Sequence, residues 1–115
     1  MTNDCIFCKI AAGEIPADIV YKNEHVTAFT DLNPQAPTHI LIVPSRHIAG
    51  LDEMRDAESA TTVAQCLLVA NEIAREKKLE NGYRLVTNIG ADGGQSVRHL
   101  HFHLLGGRKM TWPPG

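Results

Sequence analysis

Three histidines alternate with apolar residues near the carboxyl end of the chain, at positions 99, 101 and 103. Because successive side chains of a β-strand point to opposite faces, this spacing predicts three imidazoles on one face and the intervening apolar residues on the other. Neighbouring imidazoles would lie roughly 6.6 Å apart, too far to hydrogen-bond one another. That separation suits one ring that attacks a phosphorus atom while the next ring contacts the oxygens bound to it.

The segment just before these histidines strengthens a functional interpretation. A purification tag, a surface metal patch or a satisfied core histidine would also place histidines on a strand. However, a tag does not alternate with large apolar residues, and a histidine-only patch does not need the Gly93-Gly94-Gln95-Ser96 loop that precedes it. Glycines at 93 and 94 let the backbone approach a ligand closely, and such a loop suits a phosphate.

The composition predicts one ordinary globular domain. The chain has 115 residues, of which 43% are hydrophobic and 21% charged, and its formal net charge is −2. This charge gives no long-range attraction to nucleic acid or to an anionic membrane, so we expect neither as a partner. The first residues lack the basic and apolar regions of a secretory signal, and no window is apolar over the length of a bilayer. We therefore expect a cytoplasmic protein.

The apolar patterning predicts an α+β domain with an antiparallel sheet. Strands are predicted over residues 19–22, 25–30, 39–43, 83–89 and 97–105, loops over 31–37 and 90–94, and an extended tail over 108–115. One long helix is predicted over about 56–79, with a buried stripe of Ala60, Val63, Leu67, Ala70 and Ala74 flanked by Cys66 and Ile73. Asn81-Gly82 is expected to end this helix. A doubly wound parallel sheet would need several more crossover helices.

Two of the three cysteines form a Cys5-x-x-Cys8 pair, and Cys66 stands apart. In a reducing compartment such a pair is more readily a metal or redox pair than a structural disulfide. The spacing also fits two small buried residues, and a complete zinc site needs four ligands. Cys66 is expected to pack inside the helix.

The run from His99 to Leu105 reads His-φ-His-φ-His-φ-φ, where φ is apolar, and it resembles the histidine triad (HIT) family of nucleotide hydrolases and transferases. Other segments extend the resemblance over essentially the whole chain, towards the nucleoside phosphoramidase (Hint) branch: Ile6-Phe7, Glu14-Ile15-Pro16, Ala28-Phe29 with Asp31, residues 34–39, 92–97 and 105–107, and Trp112-Pro113-Pro114-Gly115. The resemblance implies a single HIT domain over residues 1–115. It also implies a five-stranded antiparallel sheet, one long and one short helix, and a homodimer.

By the same resemblance, His101 is the nucleophile that attacks the α-phosphate, giving a nucleotidyl-histidine that water hydrolyses. Its near nitrogen should donate to a backbone carbonyl beside the first triad histidine, while His39 helps to hold the arrangement. His103 and the Gln95-Ser96 loop would contact the phosphate oxygens, and Ser96 would assist departure of an amine. The resemblance thus implies a catalytic set of four residues: His101, His103, His39 and Ser96.

The resemblance also implies a purine nucleotide site. Phe7, Phe29 and Leu32 would form an apolar slot, and Asp31 would accept from the ribose hydroxyls. From the residues alone, Phe29 and Leu32 fit core positions equally well, and Asp31 fits a turn. Trp112 resembles a tail residue that reaches across a dimer. The complete set implied is Phe7, Phe29, Asp31, Leu32, Asn88, Gly94, Gln95, Ser96, His101, His103 and Trp112.

A structural zinc site is implied by zinc-containing relatives, which complete a Cys₂His₂ set. The corresponding ligands here are Cys5, Cys8, His47 and His99. Such a zinc would pin the amino-terminal segment to the catalytic strand, and the chemistry would not require it. Arg98 stands where relatives usually have an aromatic or other bulky residue, which leaves the substrate preference open.

Three functions therefore remain open at the level of sequence. The first is a hydrolase of purine nucleoside 5′-phosphoramidates, which the Trp-Pro-Pro-Gly tail and Ser96 favour. The second is a dinucleoside polyphosphate hydrolase or nucleotidylyl transferase, which would share the histidine intermediate. The third is a zinc-stabilised nucleotide-binding scaffold protein whose turnover is incidental.

Overall fold

The computed structural model describes residues 4–115, so the first three residues of the predicted domain lie outside it. Its helices and strands are α1 (Ile6–Ala11), β1 (Ile19–Lys22), β2 (Val26–Thr30), β3 (Thr38–Pro44), α2 (Ala57–Glu76), β4 (Arg84–Val86) and β5 (Phe102–Gly106). A 3₁₀ turn over Leu51–Glu53 lies between β3 and α2. The predicted α+β class is confirmed, with five antiparallel strands, one long helix and one short helix.

The five strands form one sheet in the order β1-β2-β3-β5-β4. β5 pairs with β3 although α2 and β4 lie between them in sequence. This crossover brings the carboxyl-terminal histidines beside His39 in β3. Residues directly opposite each other in antiparallel strands share a face of the sheet, and Phe29, Leu41 and His103 form one such row.

The two faces of the sheet carry separate cores. α2 packs on one face, over a cluster that includes Ile42, Leu100, Phe102 and Leu104. A second cluster joins α1 to the other face and consists of Phe7, Ile10, Phe29, Leu41 and Val43. Since the apolar residues of the triad segment all belong to the α2 cluster, the predicted alternation is confirmed. The histidines are left to the face that α1 covers.

α2 begins with a capping box, in which the Asp56 carboxylate accepts from the Ser59 backbone N–H at 2.8 Å. Its buried residues are Ser59, Thr62, Val63, Cys66, Val69, Ala70, Ile73 and Ala74. The predicted stripe was wrong at Ala60 and Leu67, which are exposed. The stripe that faces the sheet is instead centred on Cys66 and Ile73.

α2 ends at Glu76, three residues before the predicted end. Lys78 adopts a φ of 58°, its N–H donates to Arg75 C=O at 3.1 Å, and the Leu79 N–H donates to Ala74 C=O at 3.0 Å. These are the two bonds of a Schellman motif. The left-handed residue that ends the helix is therefore Lys78, whereas Gly82 serves the turn that leads into β4.

The first three strands agree with prediction to within one residue at each end, but the last two are shorter than predicted. The predicted strand over 97–105 begins only at Phe102, because the residues before it form other hydrogen bonds. The Leu100 N–H donates to Ile48 C=O at 2.6 Å, and the His101 carbonyl accepts from the Thr87 hydroxyl at 2.8 Å. Among the described residues, no helix has both the length and the apolar character to cross a bilayer.

Candidate active site and metal-ligand cluster

The His101 ring is held by the backbone just before it. Its Nδ1 lies 2.8 Å from the His99 carbonyl oxygen. A carbonyl oxygen only accepts, so Nδ1 carries the hydrogen, and in the neutral ring Nε2 keeps its lone pair. The hydroxyl of Thr87 fixes the main chain here from the β4 side. The result is an imidazole whose far nitrogen is a nucleophile.

A chain of hydrogen bonds sets the tautomer of His103. The backbone N–H of Gln35 donates to His39 Nδ1 at 3.0 Å, so the hydrogen of a neutral His39 lies on Nε2. His39 Nε2 is 2.9 Å from His103 Nδ1 and therefore donates to it. His103 in turn carries its own hydrogen on Nε2. A hydrogen-bond donor thus stands beside the nucleophile, with the ring centres of His101 and His103 5.1 Å apart.

Burial keeps these supporting histidines neutral. It lowers the pKa of His103 to about 4, and the neighbouring His101 and His39 rings act in the same direction. Burial also lowers the pKa of His39, although the Asp31 carboxylate opposes this effect. Both rings are therefore uncharged at pH 7, as the hydrogen-bond chain requires.

Asp31 lies against the same histidines. Its Oδ2 is 3.5 Å from His39 Nε2, its Oδ1 accepts from the Asn33 N–H at 2.8 Å, and its side chain is 20% exposed. A carboxylate has about four lone-pair positions, so these contacts leave capacity for a ligand hydroxyl. The structure therefore places the Asp31 carboxylate beside His39, and its predicted contact with a ribose stays a prediction.

Two of the three predicted slot residues come together. The rings of Phe7 and Phe29 are 5.6 Å apart, and Phe7 meets the His101 ring edge-on at 5.0 Å. Leu32 does not join them, since its side chain is 99% exposed. Trp112 is also exposed, on the tail that follows β5. Phe7 and Phe29 are themselves only 7% and 5% exposed, so within one chain they pack beside His101 as members of the core cluster that joins α1 to the sheet.

The loop before the triad is held by its own polar groups. Asn88 Nδ2 donates to the Gly93 carbonyl at 2.7 Å, and a Cβ at Gly93 would collide with the Ile89 carbonyl oxygen. Gly94 has a φ of 79°, which favours glycine. These glycines are needed for the packing of the loop itself. Ser96 is exposed at its end.

The Gln95 amide is fully used within the protein. Its Nε2 donates to the carbonyls of Ala49 at 2.8 Å and Val97 at 3.0 Å. Its Oε1 accepts from the Gly90 N–H at 3.0 Å and from Arg98 Nη1 at 2.7 Å. Two donors and two acceptor positions exhaust the capacity of a primary amide. Gln95 therefore organises the loop, which leaves the exposed Ser96 hydroxyl as its side-chain donor towards a ligand.

The histidines are more sheltered than an open display of imidazoles. His99 is 0% and His101 3% exposed, while His103 is partly buried. Attack on phosphorus requires access to a single ring nitrogen, so a substrate would meet His101 at the ring edge. A cleft of about 490 Å³ lies elsewhere, beyond the end of β5, and is lined by residues 78–82 and 107–109. None of the site histidines lines that cleft.

Four predicted metal ligands converge on the other side of His99. The ligand atoms of Cys5, Cys8, His47 and His99 all lie within 4.8 Å of one another. His99 Nδ1 is 3.2 Å from Cys5 Sγ, 3.4 Å from Cys8 Sγ and 3.2 Å from His47 Nδ1. Zinc bond lengths to sulfur and nitrogen give tetrahedron edges of about 3.3–3.8 Å. The separations between these atoms match such a site.

The protonation of His99 also suits a metal. Its Nε2 lies 2.9 Å from the Pro44 carbonyl oxygen and donates to it, which leaves the Nδ1 lone pair directed at the other ligands. Burial lowers the pKa of His99 to about 4. Cys5 is the N-cap of α1 and accepts from the Cys8 N–H at 3.4 Å. Two thiols and two imidazole lone pairs are a donor set that zinc prefers.

Several groups that hold the site have no signature in the sequence. Thr87 and the backbone groups of Gln35 and Pro44 fix three of the histidines, yet the sequence predicted this role for none of them. Arg98 forms a paired contact with the Asp52 carboxylate, at 3.0 and 3.2 Å. Only the fold brings these partners to the histidines, so sequence spacing could not reveal them.

Comparisons with known proteins agree with this arrangement. A profile of the HIT domain matches residues 12–110. The chain is 52% identical over 112 residues to a 14 kDa zinc-binding protein of Zea mays, covering 96% of this chain and 87% of that protein. It is similar to a HIT family hydrolase from Legionella pneumophila Philadelphia 1, with 50% identity, a TM-score of 0.93 and coverage of 97% and 100%. It is also similar to a histidine triad protein from Clostridium difficile, with 48% identity, a TM-score of 0.91 and coverage of 96% of both chains.

Proposed function

Because the chain belongs to the HIT family, we propose that it is a hydrolase that cleaves the P–N bond of purine nucleoside 5′-phosphoramidates through a nucleotide held covalently on His101. The observation that supports this most directly is the pair of tautomers in the site. His101 offers a lone pair on Nε2, and His103 offers an N–H beside it. A nucleophile next to a donor for the developing oxyanion is what displacement at phosphorus needs.

In the first step, the His101 Nε2 lone pair forms a bond to the α-phosphorus while the bond from phosphorus to the amine nitrogen breaks. The exposed Ser96 hydroxyl relays a proton from solvent water to the departing amine, so that the hydroxyl itself stays neutral. His103 Nε2–H meets the negative charge on the phosphate oxygens. His101 becomes an imidazolium, and the His99 carbonyl that accepts its Nδ1–H stabilises that positive charge.

In the second step, water attacks the same phosphorus from the side that the amine left. The bond from phosphorus to Nε2 breaks, and its electron pair returns to the imidazole. The proton that the attacking water loses returns to solvent, which balances the proton taken up in the first step. The net products are a 5′-mononucleotide and an amine. Asp31 and the paired rings of Phe7 and Phe29 would hold the ribose and the base.

The cluster of Cys5, Cys8, His47 and His99 is proposed to hold a structural zinc ion. Its fit rests on two thiols, two imidazole lone pairs and separations of a tetrahedral site. When bound, the ion would cross-link α1 to the segments around residues 47 and 99. All four positions would be filled by protein, so the site offers none to a substrate or water.

A homodimer is proposed on the basis of two separate features, the edge strand β4 and the outer face of α2. β4 is an edge strand of the sheet, and α2 carries two exposed leucines, Leu67 at 38% and Leu68 at 62%. An edge strand and exposed apolar side chains each favour association. Leu68→Glu is expected to shift the mass measured by sedimentation from dimer to monomer, while Leu32→Glu, which is also exposed, should not.

The test of the proposed reaction is a substrate panel with the nucleophile variant beside it. Adenosine 5′-phosphoramidate, a diadenosine polyphosphate, and a sugar-nucleotide with an acceptor are assayed under the same conditions. We expect the phosphoramidate to be hydrolysed fastest. Quenching in alkaline denaturant, which preserves the acid-labile bond between phosphorus and histidine, should trap one nucleotidyl group on His101, seen by peptide mass spectrometry and missing in His101→Ala.

Other results point to the other functions. Dominant activity on the diadenosine polyphosphate or on the acceptor pair would replace the proposal with the polyphosphate hydrolase or transferase. Tight binding of a purine mononucleotide without hydrolysis of any substrate would favour the scaffold protein. Turnover by His101→Ala near that of the unaltered protein would refute the covalent mechanism.

A further inference from the structure

Arg98 lies between the phosphate-directed loop and the triad, one residue before His99. Its guanidinium reaches away from the histidines to the 3₁₀ turn, where Nη2 is 3.0 Å from Asp52 Oδ2 and Nη1 is 3.2 Å from Asp52 Oδ1. The same Nη1 donates to Gln95 Oε1 at 2.7 Å. One planar group therefore joins the turn to the side chain that organises the loop.

Gly50 leaves the space through which this contact forms. A Cβ at Gly50 would collide with Arg98 Nη1 and would lie 2.6 Å from Asp52 Oδ1. The φ of Gly50 is −169°, which any residue adopts, so the backbone alone does not call for glycine here. A side chain at this position would displace the guanidinium from the carboxylate.

The charge of Arg98 is committed to this contact. The hydrogen bond from Arg98 lowers the pKa of the Asp52 carboxyl, so both partners are ionised at neutral pH. A guanidinium paired in two places with a carboxylate is a poor candidate for binding the phosphates of a substrate. Arg98 instead affects the geometry of the loop, because Gln95, to which it donates, also bonds to Ala49, Val97 and Gly90.

We propose that Arg98 is a positioning residue that fastens the Gln95-Ser96 loop to the 3₁₀ turn and so aligns Ser96 with the histidines. The proposal rests on the proposed function, since its effect on turnover requires that the loop serve the reaction at His101. A misplacement of about 1 Å in a catalytic group costs about 100-fold in rate. An exposed ion pair contributes little to stability. Loss of the pair should therefore reduce kcat far more than it affects unfolding.

Three single variants break the contact by different means: Arg98→Met, Asp52→Asn and Gly50→Ala. Each is expected to lower kcat for adenosine phosphoramidate about tenfold, with a smaller change in KM. The double variant Arg98→Met/Asp52→Asn should be no slower than either single variant, because both remove the same contact. Arg98→Lys should recover part of the loss, since it keeps the charge without the fork.

Arg55→Met is the matched control. Arg55 pairs with Glu53 on the same turn, at 3.1 Å, and both residues differ from those that contact Gln95. It should retain full kcat, and its midpoint of urea unfolding should match that of Arg98→Met. Normal kcat in Arg98→Met, or normal or raised activity in Asp52→Asn, would overturn the proposal. The latter result would mean that Arg98 contacts the substrate.

A second measurement separates this proposal from the proposed function. Hydrogen exchange of the Gln95 side-chain amide, followed by NMR, reports the loop directly without any substrate. We expect exchange about tenfold faster in Arg98→Met and Gly50→Ala than in Arg55→Met. If the protein did not hydrolyse phosphoramidates but exchange of the Gln95 amide were faster in these variants, the proposed role of Arg98 would be supported and the proposed reaction would be refuted. Unchanged exchange would refute the fastening role whatever the substrate.

Discussion

The protein has two histidine clusters, one around His99 with Cys5, Cys8 and His47, and one around His101 with His103 and His39. In each cluster a backbone carbonyl accepts from one ring nitrogen of the central histidine, but the nitrogen is Nε2 in the first and Nδ1 in the second. At His99, Nε2–H donates to the Pro44 carbonyl, which leaves the Nδ1 lone pair for the cysteine-containing cluster. At His101, Nδ1–H donates to the His99 carbonyl, which leaves the Nε2 lone pair for a substrate. In both cases a backbone carbonyl selects the tautomer, so the main chain decides which nitrogen is reactive.

What surrounds the lone pair separates the two clusters. Around His99 the other three groups are also electron-pair donors, and four converging donors bind a cation. Beside His101 stands His103, whose tautomer gives an N–H instead. A lone pair next to a donor suits an electrophile that carries negative oxygens. The two cysteines and the placement of one proton therefore separate the arrangement proposed to bind zinc from the one proposed to act on a phosphate.

Alanine at each central histidine gives the largest expected contrast. His101→Ala should lower turnover by about 10⁴-fold or more, because the attacking atom is lost. His99→Ala removes a metal ligand but keeps the carbonyl that accepts from His101. We therefore expect turnover within about tenfold of the unaltered protein, together with loss of bound zinc. Single-turnover kinetics and metal analysis of both variants measure the two effects.

Equal loss of turnover in the two variants would break this comparison. It would mean that the metal cluster takes part in the reaction, or that the carbonyl at position 99 moves once the ring is gone. Binding of a purine mononucleotide by calorimetry provides the control. Both variants should still bind it, which shows that the pocket has formed.

Sequence patterns found the residue types of both clusters but not what distinguishes them. Alternation along the chain was enough to separate the triad histidines from Leu100, Phe102 and Leu104, because a strand has a fixed period. The assignment of His47 and His99 as partners of the cysteines came from the family resemblance, because the four residues of this cluster are far apart in sequence and their spacing alone does not connect them. The tautomers depend on Pro44, His99 and Gln35 backbone groups, which every residue carries and no motif encodes.

The misjudged parts of the fold have a common cause. The strand predicted from residue 97 starts at Phe102 because a loop carbonyl and a threonine hydroxyl satisfy the backbone before it. Likewise, the stripe on α2 was centred on Leu67, whereas the sheet meets Cys66 and Ile73. In both cases the sequence predicted the right type of element, a strand or a helix. Contacts with the rest of the fold decided where the strand begins and which side of the helix is buried. Leu32 shows the same limit, since a slot assigned by resemblance is not assembled around it in one chain.

Removing the thiols tests the metal side alone. Cys5→Ser and Cys8→Ser should each abolish the zinc found in the purified protein. The free energy of unfolding should fall by about 4 kcal/mol if free zinc exceeds its Kd about 1,000-fold. Urea unfolding and elemental analysis check the two results. Cys66→Ala is the control, because it removes a buried thiol outside the cluster and should retain zinc. Full stability of the serine variants would show that zinc adds nothing to the fold.

Replacing His103, the proposed hydrogen-bond donor beside His101, tests the cluster proposed to act on the phosphate. His103→Ala removes the N–H proposed to meet the phosphate oxygens, and a lost oxyanion donor costs about 10²- to 10³-fold in kcat. His103→Gln can place an amide N–H nearby and should lose less. Zinc bound by Cys5, Cys8, His47 and His99 should stay unchanged in both, because His103 belongs to a separate group with Asp31 and His39. A loss of zinc in either variant would show that the two clusters are one unit.

The smallest expected effect is the contribution of His103 to the loss of stability at low pH. His103 has a pKa of about 4 in the folded protein against 6.5 for an ordinary histidine, so below pH 6.5 the unfolded chain takes up a proton that the folded protein does not. Stability is therefore complete above pH 6.5 and declines as the pH falls towards 4. Between pH 6.5 and 5 this amounts to about 1–2 kcal/mol for one such ring. His103→Gln should lose that part of the decline and keep the part due to His39 and His99, whose pKa values burial also lowers. Urea unfolding at pH 7, 6 and 5 measures both proteins, and an identical slope for His103→Gln and the unaltered protein would place the acid sensitivity at His39 and His99.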